Sequence, residues 1–121
     1  MVYKKHSILK SYSKINIFLN ILKKKTKLHL IHSFVLQINL IDRIKIQESS
    51  QKKDKIIFKG TNIKKISKNN SITKILKLLR QKKILNNKYF KITINKNIPI
   101  GAGLGGSSSN ATTLLNYLIK K

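Results

Sequence analysis

The residues best suited to chemistry in this sequence lie in one segment, residues 99–111, which reads PIGAGLGGSSSNA. Four of the five glycines in the chain fall within residues 101–106, and three serines follow at residues 107–109. Glycine permits backbone conformations and close ligand approaches that a Cβ would block, and serine adds hydroxyl groups. A helix beginning here would add free N–H groups and the positive end of its dipole. The segment therefore predicts a loop that binds phosphate groups.

Three phosphate-binding motifs compete for this segment. The Walker loop ends in Gly-Lys-Ser/Thr, and it is excluded because Ser107 follows Gly106 directly. The dinucleotide-binding pattern Gly-x-Gly-x-x-Gly is matched formally from Gly101 to Gly106, but it should follow a buried parallel strand near the start of a βαβ unit. Here it follows an amphipathic stretch near the end of the chain. A third motif, described below, fits better, and a plain Gly/Ser helix cap would not need four glycines within six residues.

The elements that must position this loop follow from the hydrophobic periodicity. Amphipathic spacing predicts one helix from Ile72 to about Lys82, preceded by the capping residues 69–71, and a second helix from Ala111 onward. Runs rich in apolar residues, most of them alternating with polar ones, predict five strands. These strands are residues 13–22, 28–40, 42–47, 55–59 and 89–95. The order of elements predicts an α+β domain, with a mostly antiparallel sheet and the helices on one face.

The first predicted strand carries two polar residues side by side. Lys14 and Asn16 lie on the same face, because side chains alternate along a strand. The opposite face is apolar and is expected to be buried against the core. Its residues are Ile15, Ile17, Leu19 and Ile21.

The segment PIGAGLGGSSSNA resembles the ATP-phosphate loop of the GHMP kinases, and its GGxSSNA ending resembles one branch of that family. The sequence SKINIFL at residues 13–19 resembles the strand AKLNLFL near the N-terminus of the same branch. The resemblance implies a GHMP kinase N-terminal domain (ribosomal protein S5 domain 2-like) formed by residues 1–121, without the C-terminal domain. It also implies a kinase that uses ATP and Mg²⁺ to phosphorylate the 2-hydroxyl of a cytidine diphosphate-linked methylerythritol in non-mevalonate isoprenoid biosynthesis.

The resemblance implies roles for individual residues. Lys14 is the implied catalytic residue, which would neutralise charge developing between the acceptor hydroxyl and the γ-phosphoryl group. Asn16 and His29 are implied to bind the acceptor substrate. Leu28 stands where the family has a tyrosine beside the histidine, so a stacking partner for the cytidine base is missing. For His29 an ordinary place in the sheet is the alternative, and for His32 it is the favoured interpretation.

The implied ATP-binding residues surround the glycine-rich loop. Asn70 and Lys96 are included, with a helix cap and a surface charge as their respective alternatives. Ser108 is the candidate ligand for Mg²⁺. The full set is Asn70, Lys96, Pro99, Gly101, Gly103, Leu104, Gly105, Gly106, Ser107, Ser108, Ser109 and Asn110.

One part of such an enzyme is missing from the sequence. The family places an aspartate beyond the helix that follows the loop, whereas the three acidic residues here, Asp42, Glu48 and Asp54, all precede the loop and match no family motif. Without that carboxylate, general-base assistance worth roughly 10²–10⁴-fold would be lost. We therefore expect little or no activity from these residues alone. The chain is then half of a split enzyme with a separately encoded C-terminal half as partner, a decayed remnant, or a fragment.

The composition leaves a second class of function open. The formal net charge is +24, and all but two of the 27 basic residues are lysine, the exceptions being Arg43 and Arg80. Such a surface attracts polyanions, which makes a small basic nucleic-acid-binding protein the alternative. Arginine is the usual reader of phosphates and base edges. Its scarcity, beside heavy use of Lys, Ile and Asn, favours a compositional bias with only non-specific binding to nucleic acid.

The remaining composition bounds the cellular setting. The sequence has no cysteine, which excludes disulfides, Cys-ligated zinc and a Cys nucleophile. No apolar run approaches the ~20 residues of a membrane span. Residues 1–25 are basic and superficially like a transit peptide, but we interpret them as folded chain and predict a cytoplasmic protein without membrane association.

Overall fold

The computed structural model describes residues 6–25 and 27–120, so the first five residues, residue 26 and residue 121 lie outside it. In chain order the described elements are β1 (His6–Lys25), β2 (Leu28–Ser49), β3 (Lys55–Gly60), a short 3₁₀ helix (Ile63–Lys65), α1 (Ser71–Gln81), β4 (Tyr89–Lys96) and α2 (Gly106–Ile119). The four described strands form one sheet in the order β1-β2-β4-β3, in which β3 is parallel to β4 and the other neighbours are antiparallel. The predicted α+β class with a mostly antiparallel sheet is confirmed.

The first two strands are much longer than predicted. The predicted strands at residues 28–40 and 42–47 are one continuous element, β2, and β1 begins at His6 rather than at residue 13. β1 has 20 residues and β2 has 22, and the two pair as an antiparallel hairpin. A polar or charged residue inside a strand does not end it where the neighbouring strand supplies backbone partners, so the two predicted strands merge.

The hydrophobic core lies between one face of the sheet and the two helices. Ile44 and Ile46 of β2 pair directly with Ile94 and Ile92 of β4, and all four are at most 2 % exposed. Their spacing of two residues places them on one face of the sheet. The helices supply the other side of the core with Ile72, Leu76, Leu79, Leu114 and Leu118.

The expected burial of the apolar face of β1 is wrong. Ile17, Leu19 and Ile21 are 56 %, 49 % and 64 % exposed, and Ile15 is only partly buried. The strand β4, which lies next to β2 in the sheet, pairs with β2 only along residues 43–49. The part of the β1–β2 hairpin nearer its turn therefore extends past the core between sheet and helices. Three register shifts along β1 also interrupt the strict alternation on which the prediction depended.

Asp54 fastens the start of β4 to the end of α1. Its Oδ2 accepts a hydrogen bond from Arg80 Nη2 at 2.6 Å, and its Oδ1 accepts one from the amide of Phe90 at 2.9 Å. The Arg80 guanidinium also lies 4.4 Å from the ring centroid of Tyr89. One carboxylate therefore connects a helix, the loop before β3 and the first residues of β4.

Asp54→Asn is expected to lower the free energy of unfolding by about 1–2 kcal/mol, because hydrogen bonds to charged groups are worth about 1.5–3 kcal/mol and partial exposure reduces that value. The substitution keeps the shape and an acceptor for the Phe90 amide, but it removes the charge opposite Arg80. Urea unfolding of the two proteins measures the difference. An unchanged unfolding midpoint would contradict a stabilising role for this ion pair.

Candidate phosphate-binding site

The glycine-rich loop connects β4 to α2 and depends on its glycines. Gly101, Gly103 and Gly105 have φ angles of 76°, 73° and 69°, in the left-handed region that favours glycine. Gly105 is the N-cap of α2, and its carbonyl accepts the amide of Ser109 at 2.9 Å. The amides of the first helical residues before Ser109 therefore have no intrahelical partner and are free for a ligand or solvent.

The predicted start of the second helix is wrong by five residues. The helix begins at Gly106 rather than at Ala111, so all three serines lie in its first turn. The apolar spacing begins only at Ala111, which is why the periodicity missed the polar first turn.

The loop encloses one side of a cavity of about 400 Å³. This volume falls within the range of about 300–1,000 Å³ that small-molecule sites occupy. The other side is formed by β3, by the segment after the 3₁₀ helix and by the start of α1. The lining residues include Phe58, Lys65, Ile66, Ser67, Asn70, Ser71, Lys96, and all of residues 99–108 together with Asn110.

Two helix N-termini meet at this cavity. Asn70 is the N-cap of α1, where its Oδ1 accepts the amides of Ile72 and Thr73 at 3.0 and 3.1 Å. The next residue, Ser71, shares a 2.8 Å hydrogen bond between its hydroxyl and that of Ser107 in the first turn of α2. The positive ends of both helix dipoles therefore lie at the same opening, which favours an anionic group there.

The structure brings Lys14 to the glycine-rich loop. Its amide donates a hydrogen bond to the carbonyl of Leu104 at 3.0 Å. Its Cε and Cγ lie 3.1 and 3.2 Å from the position that a Cβ on Gly105 would occupy, so the absence of that Cβ makes room for the lysine stem. Asn16 lies two residues along β1, where its Oδ1 accepts a hydrogen bond from Ser33 Oγ at 3.1 Å.

The three serines of the loop have different surroundings. Ser107 and Ser108 line the cavity, whereas Ser109 faces β1 and its hydroxyl accepts a hydrogen bond from Ser11 Oγ at 2.9 Å. Ser11 is fully buried, so this contact joins β1 to the first turn of α2 beneath the loop.

Asp42 lies behind the loop with no exposed surface, and its place was missed by the sequence analysis. Its Oδ1 accepts the amides of Asn97 and Ile98 at 2.7 and 2.8 Å. Its Oδ2 forms an ion pair with the Lys96 ammonium and accepts a hydrogen bond from Asn110 Nδ2 at 2.9 Å. A signal for this position was present, since residue 42 shares the period-two spacing of the buried Ile44 and Ile46.

Lys96 and Asn70 have structural roles in addition to their places at the cavity. Lys96 is 8 % exposed and paired with Asp42, so it is not the surface charge that was its alternative. Asn70 is both a helix cap, as its alternative required, and a lining residue. Neither observation tests a contact with ATP.

His29 and His32 lie away from the cavity, on the outer part of the β1–β2 hairpin. His29 is exposed and pairs with Lys24 of β1 in the strand register, next to Leu28, which is 77 % exposed. The ring of His32 meets the ring of Phe18 edge-on, with 5.0 Å between centroids. The structure therefore groups Lys14 with the loop but does not bring His29 to it.

Residues 6–25 and 27–120 contain neither a cluster of metal ligands nor a membrane-spanning helix. No group of three or more His, Cys, Asp or Glu side chains in these residues could hold a metal ion. Neither described α-helix is long and apolar enough to span a membrane.

The fold matches one class of proteins. A sequence model described as "GHMP kinases N terminal domain" matches residues 70–120. A crystal structure of 4-(cytidine 5'-diphospho)-2C-methyl-D-erythritol kinase superposes with a TM-score of 0.70 at 24 % identity, covering 93 % of this chain and 39 % of that one. Mevalonate pyrophosphate decarboxylase from Streptococcus pyogenes superposes with a TM-score of 0.68 at 20 % identity, covering 97 % and 37 %. The chain has the fold of a GHMP kinase N-terminal domain.

Within that class the sequence resembles one enzyme. The chain is 53 % identical to 4-diphosphocytidyl-2-C-methyl-D-erythritol kinase of Pelagibacter ubique over 93 % of its length. It is 43 % identical to the chloroplastic enzyme of that name from Arabidopsis thaliana over 90 % of its length. It spans 40 % and 29 % of these two relatives, and the sequence model that it matches is that of an N-terminal domain. None of these relatives favours the alternative of a small nucleic-acid-binding protein.

Proposed function

We propose that this chain is the ATP-binding N-terminal portion of a kinase that phosphorylates the 2-hydroxyl of 4-diphosphocytidyl-2-C-methyl-D-erythritol. The observation that carries the proposal is the meeting of the glycine-rich loop and two helix N-termini at one cavity, with Lys14 packed against Gly105 of that loop. The names of the relatives supply the substrate.

We place the triphosphate of ATP at the first turn of α2. The free amides of Gly106, Ser107 and Ser108 would donate to phosphate oxygens, and the hydroxyls of the two serines add further donors. Pro99, Gly101, Gly103, Leu104, Gly105 and Asn110 shape the loop or line the cavity around them. Ser109 would act from beneath, through its contact with Ser11.

Lys14 would act on the transferred group rather than on ATP binding. Phosphoryl transfer is accelerated mainly by positioning and by stabilising charge on the moving phosphoryl group. Lys14 has its backbone bonded to the loop and its stem packed on Gly105, so its ammonium is held at the edge of the phosphate site. Asn16, two residues along β1, would contact the acceptor.

The described residues would supply only part of a site for Mg²⁺. Mg²⁺ prefers oxygen ligands and is usually held by one or two carboxylates together with substrate phosphates. The cavity lining contains the Ser108 hydroxyl but none of the acidic side chains. Bound Mg²⁺ would neutralise phosphate charge, and its carboxylate ligand would come from outside the described residues.

The remainder of the enzyme would complete the acceptor site and supply the missing aspartate. The chain spans less than half of its relatives, and the outer hairpin exposes apolar side chains on both faces. We propose that the remainder, in the same chain or encoded separately, covers that hairpin and brings substrate to Asn16 and His29. We place the protein in the cytoplasm, and organelle fluorescence of a tagged full-length protein would overturn that location.

ATP binding by the 121-residue chain tests the proposal, with Gly103→Asp as the disabling variant. A Cβ at Gly103 meets no atom within 4 Å, so a side chain fits and the aspartate charge lies beside the phosphates. Like unit charges about 4 Å apart repel by roughly 4 kcal/mol near a protein surface, so we expect a loss of affinity of about 100-fold or more. Isothermal titration calorimetry with ATP and Mg²⁺ measures it.

Gly103→Asn is the matched control, because it has the same size and the same strain at a φ of 73° without the charge. We expect it to bind ATP with an affinity within a few-fold of the wild type, because it introduces only the backbone strain of one left-handed residue and no charge. Absence of ATP binding by the wild type, or salt-sensitive RNA binding that both variants retain, would favour the nucleic-acid alternative instead.

A further inference from the structure

Two aspartates fasten the two ends of β4, and only one of them lies at the phosphate site. Asp54 accepts the amide of Phe90 at the beginning of the strand and pairs with Arg80, away from the cavity. Asp42 accepts the amides of Asn97 and Ile98 immediately after the strand ends and pairs with Lys96. Asp54 is therefore a matched control for the part played by Asp42.

The two oxygens of Asp42 hold different groups. Oδ1 holds backbone, at the point where the chain leaves β4 and enters the glycine-rich loop. Oδ2 holds side chains, the ammonium of Lys96 and the amide nitrogen of Asn110 in α2. The carboxylate therefore connects the strand, the loop and the helix whose first turn faces the cavity.

The position of the Lys96 ammonium explains why this connection matters for an anionic ligand. The Nζ atom lies 3.3 Å from the point that a Cβ on Gly106 would occupy, so it lies beside the first residue of α2. A cation beside the positive end of a helix dipole is unfavourable on its own. The buried carboxylate behind it offsets that repulsion and holds the ammonium in place.

We propose that Asp42 is the positioning residue of the phosphate site: it fixes the Lys96 ammonium beneath the first turn of α2, where that ammonium interacts with the bound phosphates. The inference rests on the proposed function for its ligand, the triphosphate of ATP. It extends that function to a residue that does not line the cavity.

Asp42→Asn separates the two roles of the carboxylate. The amide oxygen can still accept both backbone amides, whereas the new NH₂ group faces Lys96 and Asn110. Asn110 can accept a hydrogen bond from that group by turning its own amide, because its Oδ1 is buried without a partner. Lys96 has only donors, so the loss falls on Lys96, whose side chain is 6 % exposed.

The test is a double-mutant cycle in ATP affinity on the 121-residue chain, titrated with ATP and Mg²⁺. We expect Asp42→Asn and Lys96→Met each to weaken binding by about tenfold, the worth of one charge-assisted hydrogen bond. Asp42→Asn should have no further effect when Lys96 is already methionine, because the residue acts through the lysine. Asp54→Asn, the matched control, should bind within about twofold of the wild type, since surface ion pairs act locally.

Equal losses from Asp42→Asn with and without Lys96 would overturn the inference, as would an unchanged affinity in the single variant. Asp42→Asn leaves the buried Lys96 ammonium without an acceptor and could fail to fold. Lys96→Met leaves the Asp42 carboxylate with three neutral donors, the amides of Asn97 and Ile98 and Asn110 Nδ2. The double variant carries a neutral pair at that position. Comparison of the double variant with Lys96→Met alone then decides the matter: equal affinities support the proposal and unequal affinities overturn it.

A second measurement separates this inference from the proposed function. The protons of a buried, ion-paired lysine ammonium exchange slowly with water, which makes its ¹H–¹⁵N signal visible. The Lys96 signal should therefore be visible in the wild type and in Asp54→Asn. It should be lost in Asp42→Asn. If the signal behaves in this way but the wild type binds no ATP, the proposed function fails while the positioning of Lys96 stands. If Asp42→Asn retains the signal, the inference fails whatever ATP does.

Discussion

Lys14→Met is expected to lower the rate of phosphoryl transfer by about 10²–10³-fold, the usual loss when one group that stabilises transition-state charge is removed. The lysine stem packs against Gly105 and its backbone is bonded to Leu104, so its ammonium is held beside the proposed phosphate site. Methionine keeps an unbranched apolar stem of nearly the same length and removes the ammonium group. The effect should therefore appear in kcat, with ATP affinity changed by only a few-fold.

The measurement requires a complete enzyme, because the chain spans 40 % of the Pelagibacter ubique relative. A chimera that joins residues 1–121 to the remainder of that relative supplies it. Lys10→Met is the matched control, an exposed lysine four residues earlier on the same strand, and it should leave the rate unchanged. A chimera that keeps its full rate with Lys14→Met would remove Lys14 from the mechanism. Robust turnover by the 121-residue chain alone would contradict the need for the remainder.

Gly60→Ala is expected to lower the free energy of unfolding by about 3 kcal/mol or more, since strained backbone costs of order 1–3 kcal/mol and a core collision adds to it. Gly60 ends β3 with a φ of 120°, a conformation that residues with a Cβ rarely adopt. A Cβ there would also collide with the carbonyl oxygen of Lys96, its partner in the parallel pairing with β4. The backbone cannot yield without moving the residue that carries the ammonium of the phosphate site.

Gly103→Ala separates the collision from the strain. Its φ of 73° is also positive, but its Cβ would meet open space. We expect it to cost only about 1–2 kcal/mol, the strain of one left-handed residue. Urea unfolding of both variants gives the comparison, and equal losses at the two positions would show that the contact between Gly60 and Lys96 does not matter for stability.

The phosphate loop was predictable because its information is local. Glycines are needed where φ is positive, and Gly101, Gly103 and Gly105 have such angles. The cap of α1 by Asn70 was predictable for the same reason, because its side chain accepts backbone amides only two and three residues further along the chain. The first turn of α2 was missed because serine and glycine carry no apolar period, and its contacts with Ser71 and Ser11 come from distant elements.

The burial of β1 was mispredicted because alternation describes a strand but not what covers it. Ile17 and Ile21 alternate as a buried face would, yet both are exposed. This part of β1 lies opposite residues 31–35 of β2, whereas β2 pairs with β4 only from residue 43 onward. Which part of a long hairpin meets the helices depends on the length and register of the other strands, and neither quantity can be obtained from the strand itself.

The sequence by itself determined the α+β class, the approximate positions of most strands and of the first helix, the glycine-rich loop and the resemblance that connects Lys14 to that loop, because each of these rests on neighbouring residues or on a contiguous motif. Tertiary structure alone decided that the loop and two helix N-termini share one cavity, that Lys14 packs against the loop, and that Asp42 is buried behind it. The partners of Asp42 are 54 to 68 residues away along the chain. A buried carboxylate is stable only where such partners meet it, and only the folded chain brings them together.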